Sequence, residues 1–471
     1  MRVCCPIHGS IELGPVAAHV ACTSAMLRLD GVRQLGGCSY VYPSATHTRR
    51  MHSLGVAHLS KLAGERLQAL RPDLVAARDV ARLELAGLVH DLGHGPFSHL
   101  FEVCVPRFSH EEEGIRQLAA LTRRDAAFAA LAATHLGADW EPAVHAMVLG
   151  DDGIEPQRAF LYQIVHAHAS GVDTDKLDYL ARDSHMVFGS SNALASERIL
   201  HGMRIVVHGG RAILAFDERV AADVFHVYRM RTMLHRQVYQ HRSTLLVESL
   251  LCDALRRIDA ARVAAGRRSL QTLVVEEGVG ALVDATVTLD AAADIATVAE
   301  WKRWHRVDAT VQLRTSPHCG ACGGVTRIVD RFCQACGASL EHRPHVRAPG
   351  ALRLLHDQMT AAEASRQMQA STSCAVRVTI SDVHGGAHCV RQDPFGSAWN
   401  DWAWDVIPIV RDGELATDVA ARHQPAGTMR WREAACYAPP GTSDAALQEI
   451  RAHFLAWGRR QMNIGSPAAG V

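Results

Sequence analysis

The chain has 471 residues, 48% hydrophobic and 21% charged, a balance that suits folded globular domains and excludes a disordered chain. Lys plus Arg equals Asp plus Glu at 49 each, so no net field marks a general nucleic-acid or membrane binder, although a local basic pocket can still hold polyphosphate. The Met1 end lacks the apolar run of a signal peptide and no stretch reads as a membrane span; an intracellular protein without membrane contact, cytoplasmic or nuclear, is expected. In chain order, Leu54, Leu59, Leu62, Leu67 and Leu70 recur at three- to five-residue steps and predict an amphipathic helix beginning at His52. A second helical pattern runs from about Asp79 to Leu92 and stops at Gly93. Arg204–Val207 and Ala212–Phe216, separated by Gly209-Gly210, predict a β-hairpin. The segment from Val220 to about Ala265 is long, apolar on one side and rich in Arg and His on the other. Beyond residue 270 the alternation turns β-like at Val274-Val275, Ala285–Thr288 and Val376–Ile380, and residues 445–462 close with a helical pattern that includes Trp457.

The densest chemistry lies in Leu88-Val89-His90-Asp91-Leu92-Gly93-His94-Gly95-Pro96-Phe97-Ser98-His99. Adjacent His and Asp at a helix end can turn a nitrogen and an oxygen towards one ion. Such mixed donors suit Fe, Mn or Zn without choosing among them. A packed core has no use for three histidines and an aspartate in so short a run. Closing a coordination shell needs further ligands. His52 is one candidate, and Gly171–Tyr179 supplies several carboxylates among which spacing alone does not choose. Individually, Asp173, Asp178 and Asp183 read as surface or capping residues.

A second metal signal is Cys319-Gly320-Ala321-Cys322, then ten residues, then Cys333-Gln334-Ala335-Cys336. Paired C-x-x-C knuckles offer four thiolates in tetrahedral spacing, which predicts a structural Zn²⁺ in a small ribbon. The remaining nine of the 13 cysteines are scattered and do not suggest a disulfide framework. Flanking Arg314, His318, Arg327, Arg331, His342 and Arg343 give the ribbon a modest basic rim that leaves nucleic acid or another subunit open as a partner.

Taken with Pro6-Ile7-His8-Gly9, Gln34-Leu35-Gly36-Gly37, Tyr40-Val41-Tyr42-Pro43, His110-Glu111, the Asp173–Asp183 segment and His235–Arg242, the histidine–aspartate run resembles the HD superfamily of phosphohydrolases. More narrowly it is similar to the dNTP triphosphohydrolases that carry SAM and HD domains. The resemblance implies a mostly α fold: an HD catalytic region over 1–265, a connecting α+β segment over 266–315, the zinc ribbon over 316–345 and an α+β region over 346–471. It assigns His52, His90, Asp91 and Asp175 as metal ligands, and places His94, His99 and His110 as active-site histidines with Glu102 as their acidic partner. His110 is the implied proton donor to the departing 5′-oxygen. Arg49, Lys176 and Arg231, with Tyr179 and His235 beside them, are implied phosphate contacts, and Mg²⁺ would accompany the triphosphate. Gln34 and Asp183 are implied to hold the sugar 3′-hydroxyl, Leu35 and Tyr239 to wall off its 2′ side, and Gln240 to lie near the base. The activity so implied is release of intact triphosphate from dNTPs, with homo-oligomerisation expected by analogy.

The sequence departs from the family in two places. It begins almost at the catalytic region, so no SAM domain is expected. Cys22, Leu27 and Asp30 stand where regulated members carry Asp, Gln and Arg, and an acidic Asp30 would repel a nucleotide phosphate, so GTP activation is not expected. Two rival readings stay open: another HD phosphohydrolase acting on nucleoside monophosphates, and a nucleic-acid-binding protein that keeps an idle HD scaffold.

Overall fold

The computed structural model describes residues 1–282 except 106, 169, 190–193 and 281, and beyond them residues 298, 300–303, 305–312, 361–370, 376–384, 409–411, 414–415 and 430–463. The four ribbon cysteines and the β-like run at 285–288 lie outside the described residues. The fold is mostly α.

A hairpin of β1 (Arg2–Cys5) and β2 (Gly9–Glu12) leads into two short helices, α1 (Pro15–Ala21) and α2 (Ser24–Arg28). The centre is the pair α3 (Arg49–Leu70) and α4 (Ala77–Val89). Their apolar faces, including Val56, Ala57, Leu59, Leu67, Leu83, Leu85 and Leu88, are buried in the main core. Close approach depends on Gly87, where a Cβ would lie 2.7 Å from Ser60 Oγ and 2.9 Å from the Val56 carbonyl oxygen. Helix α4 ends at Val89, three residues earlier than its pattern suggests, so His90 and Asp91 sit on the turn that leaves it.

The short α5 (His99–Cys104) is followed by α6 (His110–Arg124), α7 (Ala126–Leu136) and α8 (Trp140–Leu149). Ser109 caps α6 by accepting from Glu112 N at 3.2 Å, and Glu111–Glu113 in its first turn oppose Arg123 and Arg124 in its last, in line with the helix dipole. Asp173 caps α9 (Thr174–Phe188), accepting from Lys176 N at 2.9 Å. After α10 (Ser196–His201), β3 (Met203–His208) and β4 (Arg211–Asp217) form the expected antiparallel hairpin, with Gly209 and Gly210 both at positive φ in the two-residue turn.

The long pattern from Val220 is two helices, α11 (Ala221–Leu234) and α12 (Arg242–Ala264), joined through a π-helical turn at His235–Tyr239. Val274-Val275 belongs to a helix, α13 (Leu270–Glu277), rather than a strand. Ser269 caps it at 3.0 Å, and Leu270 and Val274, one turn apart, pack together against Phe101 and Val105. Capping and burial here outweigh the β preference of valine. Further on, β5 (His305–Gln312), α14 (Ala361–Gln369), β6 (Arg377–His384), β9 (Arg430–Ala438) and α15 (Asp444–Asn463) make an α+β unit, while β7 (Ile409–Arg411) and β8 (Glu414–Leu415) join the β3–β4 sheet. The unit's three-stranded sheet runs β5-β9-β6, and β7 extends the hairpin by pairing parallel to β4. Arg377 ties β6 to α12 through Asp253 at 2.6 Å.

Candidate active site

Three helix ends meet above the core. The first turn of α3 brings Arg49 and His52, the exit from α4 brings His90 and Asp91, and the first turn of α9 brings Asp175. Each histidine uses its Nδ1 elsewhere. His52 Nδ1 lies 2.7 Å from Asp178 Oδ2, and His90 Nδ1 lies 2.8 Å from the Gly87 carbonyl oxygen. Both partners accept, so each Nδ1 carries a proton and Nε2 is the atom each ring turns towards the other ligands. Those two Nε2 atoms are 3.2 Å apart. Asp175 Oδ1 is 3.0 Å from His52 Nε2 and 3.7 Å from His90 Nε2. Asp91 lies 3.4 Å from His90 Nε2 through Oδ1 and 3.6 Å from His52 Nε2 through Oδ2. His52, His90 and Asp175 offer ligand atoms within 4.8 Å of one another and Asp91 adjoins them at 3.4 and 3.6 Å, a donor set that fits a metal of the Fe, Mn or Zn type.

The field at this spot favours positive charge. Burial opposes charging of His52, but hydrogen bonds to Asp175 and Asp178 outweigh it and push its pKa up to about 10. Burial likewise opposes the charge of Asp91, yet the Arg49 guanidinium and the neighbouring His90 and His94 hold its carboxyl well below the usual range. Arg49, expected at phosphate, donates to Asp91 Oδ2 at 2.7 Å and to Ser98 Oγ at 2.9 Å. Ser98 donates in turn to the Arg33 carbonyl at 2.6 Å. Phe97 and Ser98 both take φ near +58, a left-handed backbone that costs energy in non-glycine residues and concentrates at functional sites.

Beside this quartet stands a second group. Glu102 Oε1 accepts from His110 Nδ1 at 2.6 Å and from its backbone N–H at 3.0 Å, while Oε2 lies 3.0 Å from His99 Nδ1. His94 is fully buried, stacks on His110 with ring centroids 3.9 Å apart, and reaches Asp91 Oδ1 at 3.1 Å. Near-parallel stacked rings cannot both aim in-plane lone pairs at one ion, so this trio suits proton transfer better than a second metal. Burial and the Arg49 charge push His94 far down, keeping it neutral. Burial also opposes charging of His110, but the Glu102 carboxylate prevails and raises it.

A third group surrounds Asp183, whose Oδ1 is 2.7 Å from His47 Nε2 and whose Oδ2 accepts from the Tyr239 hydroxyl at 2.5 Å. Tyr239 makes edge contacts with Tyr179 and His235, and Gln240 Nε2 lies 3.5 Å from His235 Nδ1. The π-helical turn puts His235 and Tyr239 on this side together. Gln34 is buried, and its Oε1 has no hydrogen-bond partner among the described residues; the adjoining Leu35 packs half-buried on the core. Lys176 Nζ rests on Asp173 at 2.7 Å. Burial raises the Tyr179 hydroxyl to about 12, against the charges of Lys176 and Arg231 nearby. At the entry to α3, Asp30 is engaged by Arg50 at 3.1 Å.

Several residues here escape sequence reasoning. Asp178, readable from sequence as a surface or capping residue, is fully buried and joins His52, His8 at 2.6 Å and Arg182 at 2.8 and 2.7 Å. Its signal was spacing: Asp178 is three residues after Asp175, hence on the same helix face, and Arg182 follows four later. His47 and Ser98 carried no signal beyond proximity to Arg49 and His99.

Residues 49–181 match the HD domain family model. The chain is 31% identical over 283 residues to deoxynucleoside triphosphate triphosphohydrolase SAMHD1 of Xenopus laevis, covering 54% of this chain and 45% of that one. It is 31% identical over 278 residues to SAMHD1 of Homo sapiens, covering 54% and 44%. To the SAMHD1 homolog of Dictyostelium discoideum it is 30% identical over 260 residues, covering 54% and 48%. The chain thus spans about half the length of these curated relatives. Among the described residues, no helix is long and apolar enough to cross a membrane. Residues 49–181 thus match an HD domain, and over about half its length the chain resembles the SAMHD1-type deoxynucleoside triphosphate triphosphohydrolases.

Proposed function

We propose that this protein is a metal-dependent phosphohydrolase that cleaves dNTPs into deoxynucleoside and inorganic triphosphate. The observation that carries the reading is the grouping of His52, His90 and Asp175 with Asp91 beside them, both imidazoles being held through Nδ1 so that their Nε2 atoms lie 3.2 Å apart. A divalent ion held by these four would supply Lewis acidity and an activated water.

The chain's own residues supply the rest. Arg49, Lys176 and Arg231 bind and orient the phosphates, since the carboxylates around the ion would otherwise repel them. His110, kept protonated by Glu102, gives its proton to the 5′-oxygen as the bond to phosphorus breaks, and Glu102 stabilises the resulting tautomer. His99 shares the same carboxylate and fixes its orientation. His94 stays neutral and packs His110 in place. Asp183 and Gln34 receive the sugar 3′-hydroxyl, while Tyr239 and Leu35 close the 2′ side, which would disfavour ribose. Much of the base is left uncontacted, so several dNTPs serve as substrates. The four ribbon cysteines, on this reading, hold a structural Zn²⁺ in an inserted module.

Purified protein is incubated with each dNTP, NTP and dNMP, with and without Mn²⁺, Mg²⁺ and GTP. Triphosphate released from dNTPs, in the absence of GTP, is the expected result. Orthophosphate from monophosphates alone would refute the assignment in favour of a nucleotidase, and inactivity towards every substrate would favour a binding role.

A further inference from the structure

Helices α5 and α12 meet along a seam separate from the metal and sugar groups. Cys104, the last residue of α5, places its Sγ 2.7 Å from Sγ of Cys252 on α12, although 148 positions separate them in sequence. A disulfide needs sulfurs about 2.0 Å apart, so closure asks the pair at 2.7 Å to approach by about 0.7 Å. The seam is packed by Phe97, Leu100, Val247, Leu251 and Leu255, which holds the two sulfurs in register.

Access and charge are unequal. Cys252 is 7% exposed, whereas Cys104 is partly open to a crevice that Arg256 and Leu255 also line. The Cys104 S–H donates to the Cys252 sulfur, and this bond, with the Arg256 charge helping against burial, draws the Cys252 thiol down. A thiolate is the nucleophilic form, and the crevice at Cys104 gives a small oxidant its approach to the pair.

We propose that Cys104 and Cys252 form a reversible oxidation site, closed into a disulfide by a small hydroperoxide. The Cys252 thiolate attacks one peroxide oxygen, forming the S–O bond of a sulfenic acid as the O–O bond breaks; with hydrogen peroxide the departing hydroxide takes up the proton the Cys252 thiol had released and becomes one water. The Cys104 sulfur then attacks that sulfenic sulfur, and the hydroxyl leaves with the Cys104 proton as a second water. Two thiols are oxidised by two electrons and one peroxide is reduced. Cys104 lies two residues after Glu102, so the bond fastens the helix that carries His99 and Glu102 to α12.

The full-length protein is treated with hydrogen peroxide, alkylated, digested and mapped by mass spectrometry. The expected product is one linked peptide pair containing Cys104 and Cys252, lost on treatment with dithiothreitol. Oxidised wild type is expected to melt several degrees above the reduced form, because the link closes a long loop in the unfolded chain. Neither Cys104→Ser nor Cys252→Ser should gain that shift. Recovery of the two cysteines as separate alkylated or over-oxidised peptides would overturn the proposal, and so would linkage of either to other cysteines as readily as to each other. Mapping on the wild type decides the matter even where a serine variant fails to fold.

Discussion

Replacing Asp178 by Asn removes one charge from a fully buried ionic group. Its carboxylate accepts from Arg182 at 2.8 and 2.7 Å, from His52 at 2.7 Å and from His8 at 2.6 Å, and the side chains of Asp178, Arg182 and His52 are at most 1% exposed. An amide keeps one acceptor and turns the other into a donor that faces donors. Arg182 would then remain charged and half-paired in the core, and breaking one side of such a buried pair costs about 3–5 kcal/mol. His52 would also lose the acceptor that fixes its tautomer, for which about a 10–100-fold loss of metal affinity is expected. The pH dependence follows from the same contacts. Burial opposes the charge of Asp178, but Arg182, His52 and His8 outweigh it and hold the carboxyl well below the ordinary range. Its stabilisation is therefore complete above the unfolded value of about 4, declines as pH falls below it, and is gone once pH has fallen through the depressed folded value. The assays are denaturant unfolding across pH and metal content after dialysis. An Asn variant that unfolds at the wild-type midpoint and keeps its metal as tightly would refute the claim that this group anchors His52.

Three other substitutions probe separate parts of the account. Glu102→Gln removes the charge that raises His110, so the alkaline limb of the rate profile, where His110 loses its proton, should move to lower pH with kcat down about 10²-fold. An unmoved limb would mean that another group is the acid. His47→Phe leaves Asp183 without the partner at 2.7 Å and should raise KM for dNTPs more than it lowers kcat, while the difference between dNTPs and their 3′-deoxy analogues shrinks. Equal losses on both substrates would show that His47 serves folding alone. Gly55→Ala puts a Cβ into Asp178 Oδ1 and within 2.5 Å of Arg182 Nη2, and should cost about 1–3 kcal/mol in denaturant unfolding. A neutral result would show that α3 and α9 can separate without cost.

Legibility differed from element to element for physical reasons. The α3 leucines and the Gly209-Gly210 hairpin were readable because periodicity and turn chemistry are local. The π-helical turn at His235–Tyr239 was not, since a single wide turn leaves the surrounding helical periodicity nearly intact. Val274-Val275 misled because β-branched residues signal strands only when no cap and no i,i+4 partner compete. At the site, His90 and Asp91 announced themselves by density. Asp175 was not separable from its neighbouring carboxylates by spacing, because only the rotation of α9 decides that Asp175 faces His52 while Asp173 caps the helix. Asp178 went unrecognised because its partners, His8 and His52, come from elements more than a hundred residues away.

The most direct test follows oxygen rather than rate. Hydrolysis of a dNTP in heavy-oxygen water, read by phosphorus NMR and mass spectrometry, shows which bond water enters. Attack at the α-phosphorus, as the metal quartet and His110 are argued to promote, predicts the label in released triphosphate and none in the deoxynucleoside, with both products lost in a His90→Ala, Asp91→Ala double variant. Label in orthophosphate, or unchanged turnover in that double variant, would contradict the account.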